Sequence, residues 1–152
     1  MKKLWWFGVI MMMTSLVYAQ EGYNFGDERS TTLVTKAWEA LEKNNAPEAI
    51  LYANKCIKLY AQQAHSMQGS LQDFPSGSND NVFRYWALND VGTALFILGE
   101  AYRSTGQYEE EAQSYKILIN EYSYAQCWDP KGWFWKPAAV AERKLVEEED
   151  AL

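Results

Sequence analysis

Residues 88–122 read LNDVGTALFILGEAYRSTGQYEEEAQSYKILINEY, and this stretch decides the fold. Leu88, Val91, Leu95, Leu98 and Tyr102 alternate steps of three and four, the spacing that puts side chains on one face of an α-helix. Phe83, Trp86, Ala87, Ala94 and Ala101 widen that stripe, so the pattern predicts a helix from Val82 to about Ser104. Gly106 follows as a turn residue. Tyr108, Ala112, Tyr115, Leu118, Ile119 and Tyr122 then line one side of a second helix. Glu109, Glu110 and Glu111 fall in its first turn, where negative charge suits the helix dipole, and they read as a solvated helix start.

A similar pair lies upstream. Ser30 or Thr31 offers a helix cap, and Leu33, Ala37, Ala40 and Leu41 recur at helical spacing with Trp38 beside them. Asn44-Asn45 ends that helix. Pro47 suits the first turn of the next, where a missing N–H costs nothing. Ala49, Ile50, Ala53, Cys56, Ile57 and Tyr60 carry the pattern to about residue 64. Residues 65–81 (HSMQGSLQDFPSGSNDN) have few apolar anchors and read as a long loop, a kind that is often functional. Residues 123–136 (SYAQCWDPKGWFWK) read as a second loop, dense in Trp, with Pro130 and Gly132 as turn residues. Pro137 opens a last helix with Ala138, Ala141 and Leu145 facing in. Residues 147–152 form an acidic tail, where order should fade because acid opposes the dipole at a helix C-terminus.

Two helical hairpins of similar length point to an internal repeat. Leu98-Gly99-x-x-Tyr102, then Gly106-x-Tyr108, then Tyr115, resembles the tetratricopeptide repeat. Gly99 would let the partner helix approach, Tyr102 and Tyr108 would fill the space between paired helices, and Gly106 would make the turn. Leu118-Ile119-x-x-Tyr122 is similar to the second-helix ending of bacterial envelope members of that family. In the first unit Ala37 and Ala40 stand where the Gly and Tyr would be, and Pro47-Glu48-Ala49-Ile50 resembles the opening of the second helix. The second unit departs from the pattern at Glu111, where a small Ala is usual. Ala138 to Leu145 looks like the first helix of a third repeat or a closing cap. The expected fold is all-α: antiparallel helix-turn-helix repeats over residues 31–146, about two repeats plus a C-terminal capping helix.

The chain begins with a different signal. Lys2 and Lys3 precede an apolar run from Leu4 to Val17, and Val17-Tyr18-Ala19 places small residues before Gln20. This is the layout of a secretory signal peptide over residues 1–19. A helix of that run spans about 21 Å against a hydrocarbon core of about 30 Å, too short for a retained anchor. No Cys follows the small-residue site, so lipid attachment is not expected. Cleavage would remove two lysines and take the net charge from −6 to −8. Residues 20–30 read as a flexible lead-in. The expected location is periplasmic or secreted, in a bacterial cell envelope, with no membrane span after cleavage.

The 152 residues suit one domain, and 48% hydrophobic with 15% aromatic content is too apolar for a disordered chain. The acidic balance argues against nucleic acid as a partner. His65 is the only His and lies in a polar stretch, so no Ser/His/Asp or Cys/His arrangement forms around it. There is no phosphate-binding Gly loop, and two separated thiols with one His make a poor metal set. No catalytic, cofactor or metal residues are expected. Cys56 and Cys127 leave two readings open: a disulfide, which an exported protein permits, or a buried free Cys56.

The resemblance implies a non-enzymatic adaptor that holds a segment of another envelope protein. Tyr85, Asn89, Thr93, Phe96 and Arg103 are the expected contacts, on the helix that would line the concave face. The alternative is a glycan- or wall-binding module built on Trp128, Trp133 and Trp135, with Phe134 among them and Lys131 and Lys136 alongside. Those rings would otherwise fold over the open end of the helical stack. An open stack end also permits homo-oligomers.

Overall fold

The computed structural model describes residues 22–150; the expected signal peptide lies outside the described residues. Six helices and one small sheet are described: α1 (Ser30–Glu42), α2 (Ala46–Gly69), α3 (Asn79–Phe83), α4 (Trp86–Ser104), α5 (Tyr108–Glu121), β1 (Cys127–Asp129), β2 (Trp133–Trp135) and α6 (Pro137–Glu149). The mostly helical reading holds, with one addition. Part of the expected Trp-rich loop is an antiparallel pair of strands, with Trp128 opposite Phe134 and Asp129 opposite Trp133.

Helix α4 is the hub. It packs against α1, α2, α5 and α6 and touches β1. From Ala87 to Gly99 every residue except Asp90 is buried, as befits a helix apolar on nearly every side. Two cores meet on it. Leu33, Ala37, Ala49 and Ala53 pack with Ala94, Ile97 and Ala101 on one side. Leu88, Val91 and Leu95 pack with Tyr115, Leu118 and Ala141 on the other. Trp38, Ile57 and Tyr60 reach both.

Local chemistry sets the boundaries. Asn44 turns out of α1 with φ 56°, and the Asn45 side chain caps α2 by accepting from the Glu48 N–H at 3.3 Å. Gly106 makes the α4–α5 turn with φ 74°. Other expectations change. Ser30 does not cap α1; its hydroxyl donates to Asp90 instead, a stronger acceptor because it is a carboxylate. Helix α2 runs on to Gly69, so the loop starts about five residues later than its composition indicates. The single helix expected from Val82 is broken at Arg84 and Tyr85, where the Asn89 side chain takes the Val82 carbonyl at 3.0 Å. Tyr108 is 63% exposed and does not fill the space between α4 and α5; the fully buried Tyr115 does. Glu111 is not a solvated helix-start acid. It is buried, and Arg103 donates to it at 3.1 Å. Helix α6 continues through Glu149, beyond the expected start of the tail.

The lead-in is tied down over its described part. The Tyr60 hydroxyl donates to the Glu28 carbonyl at 2.9 Å, Lys55 pairs with Glu28 at 3.0 Å, and Phe25 lies edge-on to Tyr52. The segment after α2 is tied as well. Gln68 accepts from the Tyr124 N–H at 3.0 Å, the Tyr124 hydroxyl donates to the Gln72 carbonyl at 2.9 Å, and the Gln126 side chain donates to the Pro75 carbonyl at 3.0 Å. Phe74 packs edge-on to Tyr124, with the Lys136 ammonium 3.7 Å from the Phe74 ring centroid. The long insert therefore braces the approach to the strand pair. Among the described residues, no helix is long and apolar enough to cross a membrane.

Candidate functional site: an aromatic cleft

A cleft of about 850 Å³ opens between α1, α4 and the strand pair. Helix α1 lines it with Val34, Trp38, Glu39 and Glu42. Helix α4 adds Trp86, Asn89, Asp90 and Thr93, and α3 adds Phe83. The strand pair closes the third side with Trp128, Asp129, Phe134 and Trp135.

The strand pair owes its position to Asn89 and Thr93. Asn89 accepts from the Gln126 N–H at 2.9 Å while its amide nitrogen holds Val82. The Thr93 hydroxyl donates to the Asn89 carbonyl at 2.7 Å and shares a hydrogen bond with the Cys127 thiol. Gly92 sits one turn away with no room for a side chain: a Cβ there would stand 2.3 Å from the Ala125 methyl. The chain turns at Asp129–Gly132, where Gly132 takes φ 100° and its N–H donates to the Asp129 carbonyl at 2.9 Å. Three loop residues with a left-handed Gly are a common hairpin closure.

The rings divide by depth. Trp135 meets Phe96 edge-on at 5.1 Å, and Phe96 in turn touches Tyr115 at 5.9 Å and Trp38 at 6.3 Å. Trp128 pairs across the strands with Phe134 at 4.9 Å, and Phe83 closes a three-ring cluster with them. Trp86 leans edge-on against Tyr60 at 5.6 Å. Trp133 is the outermost, 52% exposed, and Trp128 is 42% exposed.

Asp90 is the polar feature of the cleft. Its carboxylate accepts from the Ser30 hydroxyl. Burial raises its pKa to about 6, and the Ser30 hydrogen bond offsets part of that rise. Among the described residues four acids line the cleft, Glu39, Glu42, Asp90 and Asp129, and no Lys or Arg does.

Of the expected contacts, the structure brings Asn89, Thr93, Trp128 and Trp135 to the cleft. The polar groups of Asn89 and Thr93 are occupied in holding the strand pair. Tyr85, Phe96, Arg103 and Trp133 do not line it. Tyr85 is half-buried at the start of α4, Phe96 is core, and Arg103 is engaged with Glu111. Trp38, Trp86 and Asp90 line the cleft and escaped the sequence reading. Asp90 had a signal: it is the only acid of α4 before Glu100, set between Leu88 and Val91 in the most apolar of the longer described helices. Cys56 and Cys127 are both free and buried, so the bridged reading does not hold. Among the described residues, no group of three or more His, Cys, Asp or Glu is placed to hold a metal ion. Comparison with protein-family models, curated proteins and solved structures gave no match.

Proposed function

We propose that this chain is an exported, non-enzymatic adaptor of tetratricopeptide-like build that holds a segment of another bacterial cell-envelope protein in the cleft between α1, α4 and the strand pair. The observation that carries this reading is the cleft itself, a concave surface walled by Trp38, Trp86, Trp128 and Trp135. Trp side chains anchor protein segments well, because a large rigid ring buries much area at low entropy cost. The test is site-specific photo-crosslinking in the envelope. A photoreactive residue at Thr35, which is exposed at the cleft, should capture a partner; the same group at Lys58, exposed on α2, should not. Equal capture at both positions, or none at Thr35, overturns the reading.

A second reading rests on Trp133. Its exposed ring, outside the cleft, suits stacking on a sugar and makes the strand pair a glycan- or wall-binding edge. Under this reading, wall or exopolysaccharide fragments shift the Trp emission, and Trp133→Ala abolishes the shift.

A further inference from the structure

The adaptor reading leaves the chemistry of the bound segment open, and the cleft speaks to it. The described chain carries Lys and Arg on every major helix, yet none lines this cleft. Four described cations have partners outside the cleft: Arg29 pairs with Asp27, Lys55 with Glu28, Lys144 with Glu100, and Lys136 lies over Phe74. Asp90, Glu42 and Asp129 stand among aromatic rings with no Lys or Arg of the described residues in the lining. Asp90 is half-buried, and among the described side chains its hydrogen-bond donor is the neutral Ser30 hydroxyl.

A ring face attracts a cation, and a half-buried carboxylate attracts it further because the local dielectric is low. Arginine answers both at once: its planar guanidinium stacks on rings and donates in a fork to a carboxylate, which a compact ammonium does less well. We infer that the cleft takes an arginine-bearing segment of the partner protein, with a guanidinium directed to Asp90 between the Trp walls. This rests on the adaptor reading and names the occupant of the same site.

The test is fluorescence anisotropy with three dye-labelled decapeptides of alternating sequence: arginine-glycine, citrulline-glycine and glutamate-glycine. Citrulline keeps the shape of arginine without its charge. The arginine peptide should bind at least tenfold more tightly than the citrulline peptide, and the glutamate peptide should not bind. Asp90→Asn should remove most of that preference. Glu142→Gln, at an exposed acid of α6 outside the cleft, should leave it intact. Equal binding of arginine and citrulline peptides overturns the inference. So does a preference that Asp90→Asn and Glu142→Gln weaken alike, because that is attraction to net charge. If no peptide binds while Thr35 still captures a partner, the inference falls and the adaptor reading stands. If Thr35 captures nothing, the reading itself falls.

Discussion

Gly99 of α4 meets the ring of Tyr115 on α5 so closely that a Cβ on Gly99 would stand 2.1 Å from the Tyr115 Cε1 atom. The two helices touch through bare backbone and an aromatic ring, and the Tyr115 hydroxyl donates to Glu100 on the next residue of α4.

Gly99→Ala should therefore be destabilising, by about 1–3 kcal/mol, as expected for overpacking a core. In thermal unfolding this lowers Tm by several degrees. Tyr115→Leu alongside it should recover part of the loss, so the two changes are not additive. Gly69→Ala is the control: nothing lies within 4 Å of a Cβ there, and its effect should be neutral or slightly stabilising. An unchanged Tm in Gly99→Ala would mean that α4 and α5 are not in this contact.

Trp135 and Trp133 should behave differently although they are two residues apart. Trp135 is half-buried against Phe96, and Trp135→Ala should cost about 2–4 kcal/mol. Trp133→Ala, at an exposed ring, should stay within about 0.5 kcal/mol. Acrylamide quenching should fall in Trp133→Phe, because that removes the most exposed of the described Trp residues. Equal destabilisation by the two alanine variants would contradict the depth order of the rings.

Asp90 predicts a pH dependence with a definite sign. Its folded pKa, about 6, lies above its ordinary value of 3.8. The folded chain holds the proton more tightly than the unfolded chain, so this carboxyl favours folding at low pH. That contribution is lost as pH rises from about 4 through 6. The Cys56 and Cys127 thiols near it stay neutral across this window, because burial raises both, Cys127 to about 12. Asp90→Asn should raise Tm at pH 7.5 and raise it less at pH 4.5. A gain that grows on acidification would refute the assignment.

The two thiols should be slow to react with Ellman's reagent in the native protein and both titrate in denaturant. Burial holds them as thiols, and the thiolate is the reactive form. Finding fewer than two thiols in denaturant would show that the chain carries a bridge and would contradict the two free cysteines of the structure.

Much of the helical framework is legible in the sequence. The apolar steps at Leu88, Val91, Leu95 and Leu98 correspond to buried positions on α4, and Pro47, Asn45 and Gly106 mark their boundaries through local backbone chemistry. The candidate site was less legible. Thr93 and Asn89 face the cleft, but their hydrogen-bonding groups hold a strand pair that composition reads as a loop. A three-residue strand has too few positions to show an alternating pattern, so its register depends on the partner strand.

The sequence alone determined most of the helical framework, the turns at Asn44-Asn45 and Gly106, and the acidic, aromatic character of the chain, because helical periodicity and turn chemistry act over a few neighbouring residues. Tertiary structure decided which aromatics became core and which became wall. Phe96 and Trp135 meet only because Asn89 and Gln126 dock the strands on α4, some forty residues from end to end. It also decided that Ser30 serves Asp90 rather than its own helix, and that Glu111 is buried with Arg103. Such outcomes depend on what distant segments bring to the same place, and the low dielectric there makes each buried carboxylate's partner matter.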